Sequence, residues 1–418
     1  MKRSLQILTK IAFCFTITLT INGCSKKDSS ITPTHPATGP TISALSVNQG
    51  PYNTSVVISG TNFSSTVASD KVFFNGKAAT VTAATATQLT AIVPLGAGTG
   101  NVTVSVSDGV VVSGPVFTYQ ASWIVSTLAG SGTVGSADGI GSAASFNTPT
   151  GLDVDKSGNV FVADEKNHLM RKITPDGAVT TIAGTGAAGN VNGVGKSASF
   201  NLPEDVVVDA NGNVFVADQL NHVIRKITPA GGVSTFAGSG EAGYADGTGT
   251  AAKFKAVNGM AIDLSGNILV SDPQNNYIRQ VTPAGVVSTF AKGTTFNFPT
   301  DVAVDKSGNV YVADLLNYKV RKITPAGGVT DLNRSANNTA FNGPNAVTVD
   351  ANGNVYIIDG SSIAKVTNAN VASNFANSSG LATVNLSLQN PLGIATDTAG
   401  NIYVADTDHN KIIKISLQ

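Results

Sequence analysis

"GNVFVADEKNHLMRKITP", Gly158–Pro175, decides the fold because the chain repeats it: "GNVFVADQLNHVIRKITP" follows at Gly212–Pro229. Aligned on its first aspartate, the stretch has six copies. They are "VFVAD" ending at Asp164, "VFVAD" at Asp218, "ILVSD" at Asp272, "VYVAD" at Asp314, "VYIID" at Asp359 and "IYVAD" at Asp406. Gly-Asn precedes each one, and the steps between the aspartates are 54, 54, 42, 45 and 47 residues. A period of ~40–50 residues with several short strands per copy marks propeller blades.

One copy resolves into four strands. Strand a is "GLDVD" (Gly151–Asp155), strand b "NVFVAD" (Asn159–Asp164), strand c "LMRKIT" (Leu169–Thr174) and strand d "VTTIAG" (Val179–Gly184). Both alternating sets of strand b are apolar, so neighbouring blades must cover it on both faces. The sixth copy stops after strand c, at Gln418. "IVSTLAG" (Ile124–Gly130) matches "AVTTIAG" and is expected to supply the missing strand, closing the ring as a clasp. These residues resemble the NHL repeat over 121–418; copy five, "IIDGSSIAKV", departs most. The resemblance implies a six-bladed β-propeller.

Residues 40–119 differ in style. "SVVISGTNF", "KVFFNGKAATVTAATATQLTAIVP" and "GNVTVSVSDG" are β-branched runs of period two, punctuated by Gly, Asn and Pro. They suggest an immunoglobulin-like sandwich. With "PTISALSVNQGP" in front, they resemble the IPT/TIG family, which implies an Ig-like spacer or binding module. The expected fold class is therefore all-β, an Ig-like sandwich followed by the propeller.

Composition agrees. Charged residues are 12% of the 418, about half the usual share, Gly numbers 44, and the net charge is zero. No electrostatic footprint for nucleic acid is present. Lys2, Arg3 and Lys10 precede an apolar run, Ile11–Ile21, too short for a permanent membrane span. "INGC" resembles a bacterial lipobox. It implies a signal peptide over 1–23, lipidation of Cys24, a flexible tether over 24–39 and attachment to the outer membrane. The charged "SKKD" after Cys24 resembles a Bacteroidetes surface-export signal. The other cysteine, Cys14, lies in the segment to be removed.

Candidate chemistry is weighed against this repetition. His168 and His222 occupy equivalent loops between strands b and c, where other blades carry Asn276 and Tyr318, and blade six reverses the pair to His409-Asn410. Equivalent loops are spread around a ring, whereas metal ligands converge. These residues therefore read as turn formers or surface contacts. Asp164 and its equivalents should accept backbone N–H groups within the b–c loop. "DGIG" (Asp138–Gly141) and "DGTG" (Asp246–Gly249) have too few carboxylates for calcium and read as turns. The pairs Arg171-Lys172, Arg225-Lys226 and Arg321-Lys322 are expected as solvated outer-strand charges or inter-blade pairs. No nucleophile elbow, zinc spacing or phosphate loop is found.

Positions that differ between blades carry more information. Glu204, Asp205, Asn258, Asp301 and Asn345 enter strand a at the mouth of the channel, and Glu204, Asn258, Asp301 and Asn345 should place oxygens near its axis. Their types resemble those of six-bladed lactonases, which hold a divalent metal with Glu, Asn and Asp; polar residues at a solvated channel mouth are the favoured reading. Three long connections from strand d to strand a, 129–149, 183–203 and 237–259, should raise half of the face they share with the b–c loops. The expected function is non-catalytic binding of a glycan or protein on that face, without a cofactor. The alternative is a metal-dependent lactonase-like or lyase-like enzyme. If Cys24 carries the anchor, Cys24→Ser should move the protein from the membrane to the soluble fraction; a variant that stays membrane-bound overturns the anchor.

Overall fold

The computed structural model describes residues 39–418 except 108, 292–293, 333–339 and 378–383. The expected signal peptide, Cys24 and nearly all of the tether lie outside the described residues. Among the described residues, no helix is long and apolar enough to cross a membrane.

Alternation of apolar residues builds the first domain. Thr41–Leu45, Ser55–Thr61, Gln88–Ile92 and Lys77–Ala84 pair antiparallel, in that order. Lys77–Ala84 also pairs with Asp70–Phe74, which leads on to Gly100–Val106 and Val112–Tyr119. Val56, Ile58, Val72, Phe74, Leu89, Val102, Val104 and Phe117 point inward and are fully buried. The Phe74 and Phe117 rings meet edge-on at 5.1 Å. This is an Ig-like sandwich closed by its own apolar core.

The remainder is a six-bladed propeller. In blade 1, strand a is Pro149–Val154, b Val160–Asp164, c Leu169–Ile173 and d Ala178–Ala183, all antiparallel. Strand b is buried along its whole length in all six blades, as its two apolar faces require. Blade 6 takes its strand d from the front of the chain. Trp123–Ala129 pairs with Lys411–Leu417, from Ile412 opposite Ala129 to Leu417 opposite Trp123. Ser122 and Gln418 extend the ladder by exchanging N–H···O bonds of 2.9 Å. The Trp123 ring then packs edge-on against Phe375 of blade 5, at 4.9 Å.

The long connections begin on the face, where Asn167, Asn221 and Asn275 of the b–c loops donate to the carbonyls of Gly135, Gly189 and Gly243, but they do not stay there. Each descends the cleft between two blades to the opposite side of the ring. There Gly139–Ile140, Gly193–Val194 and Gly247–Thr248 join strand d of blades 1, 2 and 3 as short fifth strands. Gly141, Gly195 and Gly249 follow with φ of 56°, 54° and 55°, a left-handed turn that glycine makes without strain. Their N–H groups donate to the carbonyls of Gly177, Gly231 and Gly285. Unpaired strand edges and inter-blade clefts both favour being filled, which draws these segments off the face.

Because the clasp joins the two ends of the ring, deletion of residues 121–130 should destabilise the whole propeller. Thermal unfolding by circular dichroism measures this, and an unchanged midpoint would refute the closure.

Candidate functional site

The repeated motif proves to be an internal brace. Asp164 is buried; its Oδ1 accepts the Asn147 N–H at 2.8 Å, and its Oδ2 accepts Asn167 Nδ2 at 2.9 Å and Arg171 Nη1 at 2.6 Å. The backbone donor comes from the incoming d–a connection, not from the b–c loop as expected. Asn201, Ala256, Asn297, Asn342 and Gln389 donate likewise to Asp218, Asp272, Asp314, Asp359 and Asp406. Each carboxylate therefore locks the loop into a blade to the loop out of its strand b.

Arg171 and Arg225 are not solvated, which corrects the sequence expectation for them, whereas Arg321 is only partly buried and pairs with Asp314. Arg171, Arg225 and Arg279 are fully buried. Each guanidinium lies over a phenylalanine, Phe146, Phe200 or Phe254, at 5.1–5.3 Å. Each also donates to the carbonyls of the long connection, and Arg171 and Arg279 reach Asp138 and Asp246 at 2.9 and 2.8 Å. The two Asp-Gly-x-Gly pieces are thus arginine partners. Lys172 and Lys226 keep their ammonium groups over Phe161 and Phe215.

The histidine position is an inter-blade bolt. His168 sits left-handed at φ 53°, and its Nδ1 accepts the Leu202 N–H of blade 2 at 3.1 Å. Burial pushes its pKa down, keeping the ring neutral and Nδ1 free to accept. Asn276 and Asn410 do the same with Oδ1, accepting from Phe298 and Thr148. Blade 6 reverses the pair without losing either bond, because His409 Nδ1 meets Asp406 at 2.8 Å in the role of Asn167. His222 Nδ1 is buried with no partner. Its counterpart donor, Ala256, is turned to Asp272 instead. Tyr318 makes no such bolt among the bonds described and is half exposed.

Strand a of all six blades lines a central channel of about 370 Å³. Glu204, Asp205, Asn258, Asp301 and Asn345 all line it. The two aspartates are nevertheless engaged. Asp205 Oδ2 accepts the Met260 N–H of blade 3 at 2.6 Å, and Asp301 Oδ2 accepts the Val347 N–H of blade 5 at 2.8 Å. Asp153 joins blade 1 to Val208 of blade 2 in the same way, at 2.8 Å. Gly151 and Gly259 make room: a Cβ on either would come within 2.0–2.2 Å of the Asp205 or Asp301 carboxylate. Burial pushes Asp153 up to about 6 and Asp301 up to about 7; burial and then the Asp301 charge hold Asp205 well above the usual carboxylate range. Glu204 rises to about 7 through burial and the charge of Glu165. Asn258 Oδ1 is buried without a hydrogen-bond partner. Among the described residues, no group of three or more His, Cys, Asp or Glu side chains is placed to hold a metal ion.

Residues 40–119 match the model of the IPT/TIG domain, and residues 146–173, 296–322 and 388–415 match that of the NHL repeat. The chain carries an IPT/TIG domain and NHL repeats. Protein SUPPRESSOR OF QUENCHING 1, chloroplastic, of Arabidopsis thaliana is 36% identical over 22% of this chain and 9% of its own length. NHL repeat-containing protein 2 of Bos taurus is 33% identical over 32% of this chain and 21% of its own length. The chain thus spans between about a tenth and a fifth of these curated relatives. An auxiliary nutrient binding protein from Bacteroides ovatus superposes with a TM-score of 0.70 at 16% identity, covering 93% of this chain and 100% of that one. At that identity the likeness is one of fold.

Asp153 and Glu165 of the NHL propeller were missed by sequence reasoning. Asp153 was legible by the same rule that selected Glu204, since the other blades carry Val207, Ala261, Ala303, Thr348 and Ala395 at its position. Glu165 faces Glu204 only because two blades meet. Glu204 titrates from 4.5 in the unfolded chain to about 7 when folded. Between those values the folded protein holds a proton that the unfolded chain has lost, so stability falls as pH rises through that window. Glu204→Gln should make this fall shallower in urea denaturation at about pH 5 and about pH 8. Equal differences in both proteins would contradict the assignment.

Proposed function

We propose that the NHL propeller is a non-catalytic binding and scaffold module of the cell envelope. Its ligand, a glycan or a protein, docks on the face bearing the b–c loops. The observation that carries this reading is a division of labour among side chains. The repeated Asp, Asn and Arg residues are consumed inside and between blades. The side chains that differ between blades stand out: Leu220, Tyr277, Leu316 and Tyr318, on the adjacent blades 2, 3 and 4, are all exposed large hydrophobics. Variable groups on a rigid ring suit recognition, and tyrosine offers an apolar face with a polar handle to a sugar ring or a peptide. The Bacteroides ovatus protein of the same fold is described as nutrient binding, which supports a binding role by analogy. In this reading the lipid on Cys24 anchors the protein and the IPT/TIG domain acts as the spacer.

A second reading, a metal-dependent lactonase-like or lyase-like enzyme, is favoured by one feature. Asn258 Oδ1 has no partner in the channel that Glu204 also lines.

A glycan array and an envelope-protein screen with the full chain would identify ligands. Tyr318→Ala or Leu316→Ala should weaken binding about tenfold, as loss of an exposed anchor does. Ligands indifferent to both substitutions would exclude this face. Retention of a stoichiometric divalent ion, lost on Glu204→Gln or Asn258→Ala, would favour the enzyme instead.

A further inference from the structure

Three inter-blade clefts are closed in one way; among the described residues blades 4, 5 and 6 carry no such antiparallel strand, and the cleft between blades 3 and 4 opens on a groove. In blades 1, 2 and 3 the fifth strand covers the valine that opens strand d: Val179, Val233 and Val287 are 2%, 5% and 1% exposed. The connection from blade 3 to blade 4, residues 291–298, is far shorter than residues 130–148 into blade 1. Among the described residues, nothing pairs with the outer edge of blade 4's strand d, Val329–Leu332. Val329, at the equivalent position, is 40% exposed. Gly327, the counterpart of Gly177, lines an open groove of about 560 Å³ with Leu264, Phe290, Ala291 and Pro325. Leu264 is 70% exposed, where the other blades carry Lys156, Ala210, Lys306, Ala351 and Thr398.

The backbone of this edge is aimed outward. The Thr324 N–H donates to the Gly328 carbonyl at 2.9 Å, so Gly328 faces strand c. Alternation then turns the N–H and C=O of Val329 away from strand c, to the free outer edge that begins beside Gly327 of the groove. In blade 1 the same arrangement, Thr174 N–H to Ala178 O, leaves Val179 to pair with Gly139.

We propose that the blade 3–4 groove receives an extended segment of a partner protein, which adds to Val329–Leu332 as a fifth strand. The chemistry of the occupant is shown three times in this molecule: Gly139-Ile140-Gly141, Gly193-Val194-Gly195 and Gly247-Thr248-Gly249. The middle residue is β-branched and suits a strand. The glycine after it adopts the left-handed turn that lets its N–H reach the c–d turn carbonyl, here that of Gly327. Strand addition takes its affinity from main-chain bonds and its specificity from adjoining pockets, and Leu264 with Phe290 lines such a pocket. The surface is separate from the b–c loop face, and the proposal does not depend on the ligand bound there.

A labelled peptide with the sequence of residues 137–146 serves as the probe, titrated into the full chain. Saturable binding is expected, with slowed amide exchange at residues 328–331. Val329→Pro removes only an outward N–H, which an edge strand tolerates, and should abolish binding. Leu264→Asp should weaken it and serves if the proline variant does not fold. Absence of saturation at millimolar peptide, or binding unchanged in both variants, overturns the proposal. So does a concentration-dependent dimer of the free chain that either variant abolishes, since that assigns the groove to a second copy.

Discussion

A carboxylate buried at the end of strand b holds each blade together. Such a group is costly to bury unless its oxygens are filled. Asp164 fills them with a backbone N–H from the incoming connection, the Asn167 amide and the Arg171 guanidinium. Removing one partner of such a buried pair typically costs about 3–5 kcal/mol, so the two loops it joins cannot part cheaply. They meet where strand a begins, and the same bonds therefore set the mouth of the channel. Where the arginine is missing, the common backbone donor remains, Asn342 for Asp359 and Gln389 for Asp406, with the Gly343 N–H added in blade 5 and His409 standing in for the asparagine in blade 6. The carboxylate is common to all six blades, and its donors vary.

The bonds between blades are less regular than those within them. Asp153, Asp205 and Asp301 reach across to the next blade's backbone, and glycines at 151 and 259 yield the space. A ring made of identical blades would have no such alternation. Here the inner strands interlock as unequal partners, and the cost is a set of acids held above their usual pKa inside a narrow channel. Polar residues expected to face a ligand are, in part, mortar.

The unequal connections tell the same story at the rim. Expected on the face, they run on from it into the clefts, because an exposed strand edge beside an apolar wedge is the more favourable place for an extended glycine-rich segment. The blade 3–4 cleft shows what the ring looks like without one.

The sequence by itself determined the blade count, the four strands of each blade, the clasp by Ile124–Gly130 and the sandwich over 40–119. All of these follow from local pattern: period-two alternation, a recurring Asp-x-x-Asn and glycine at turns. It also marked Glu204, Asp205, Asn258, Asp301 and Asn345 as lining the channel, because register places equivalent positions on equivalent sites. Only the tertiary structure decided that Arg171 is buried, that His168 bolts blade 1 to blade 2, and that Asp205 and Asp301 are spent on neighbouring backbones. Those outcomes depend on which groups of one blade meet those of the next, often some fifty residues away, and no local pattern encodes that meeting.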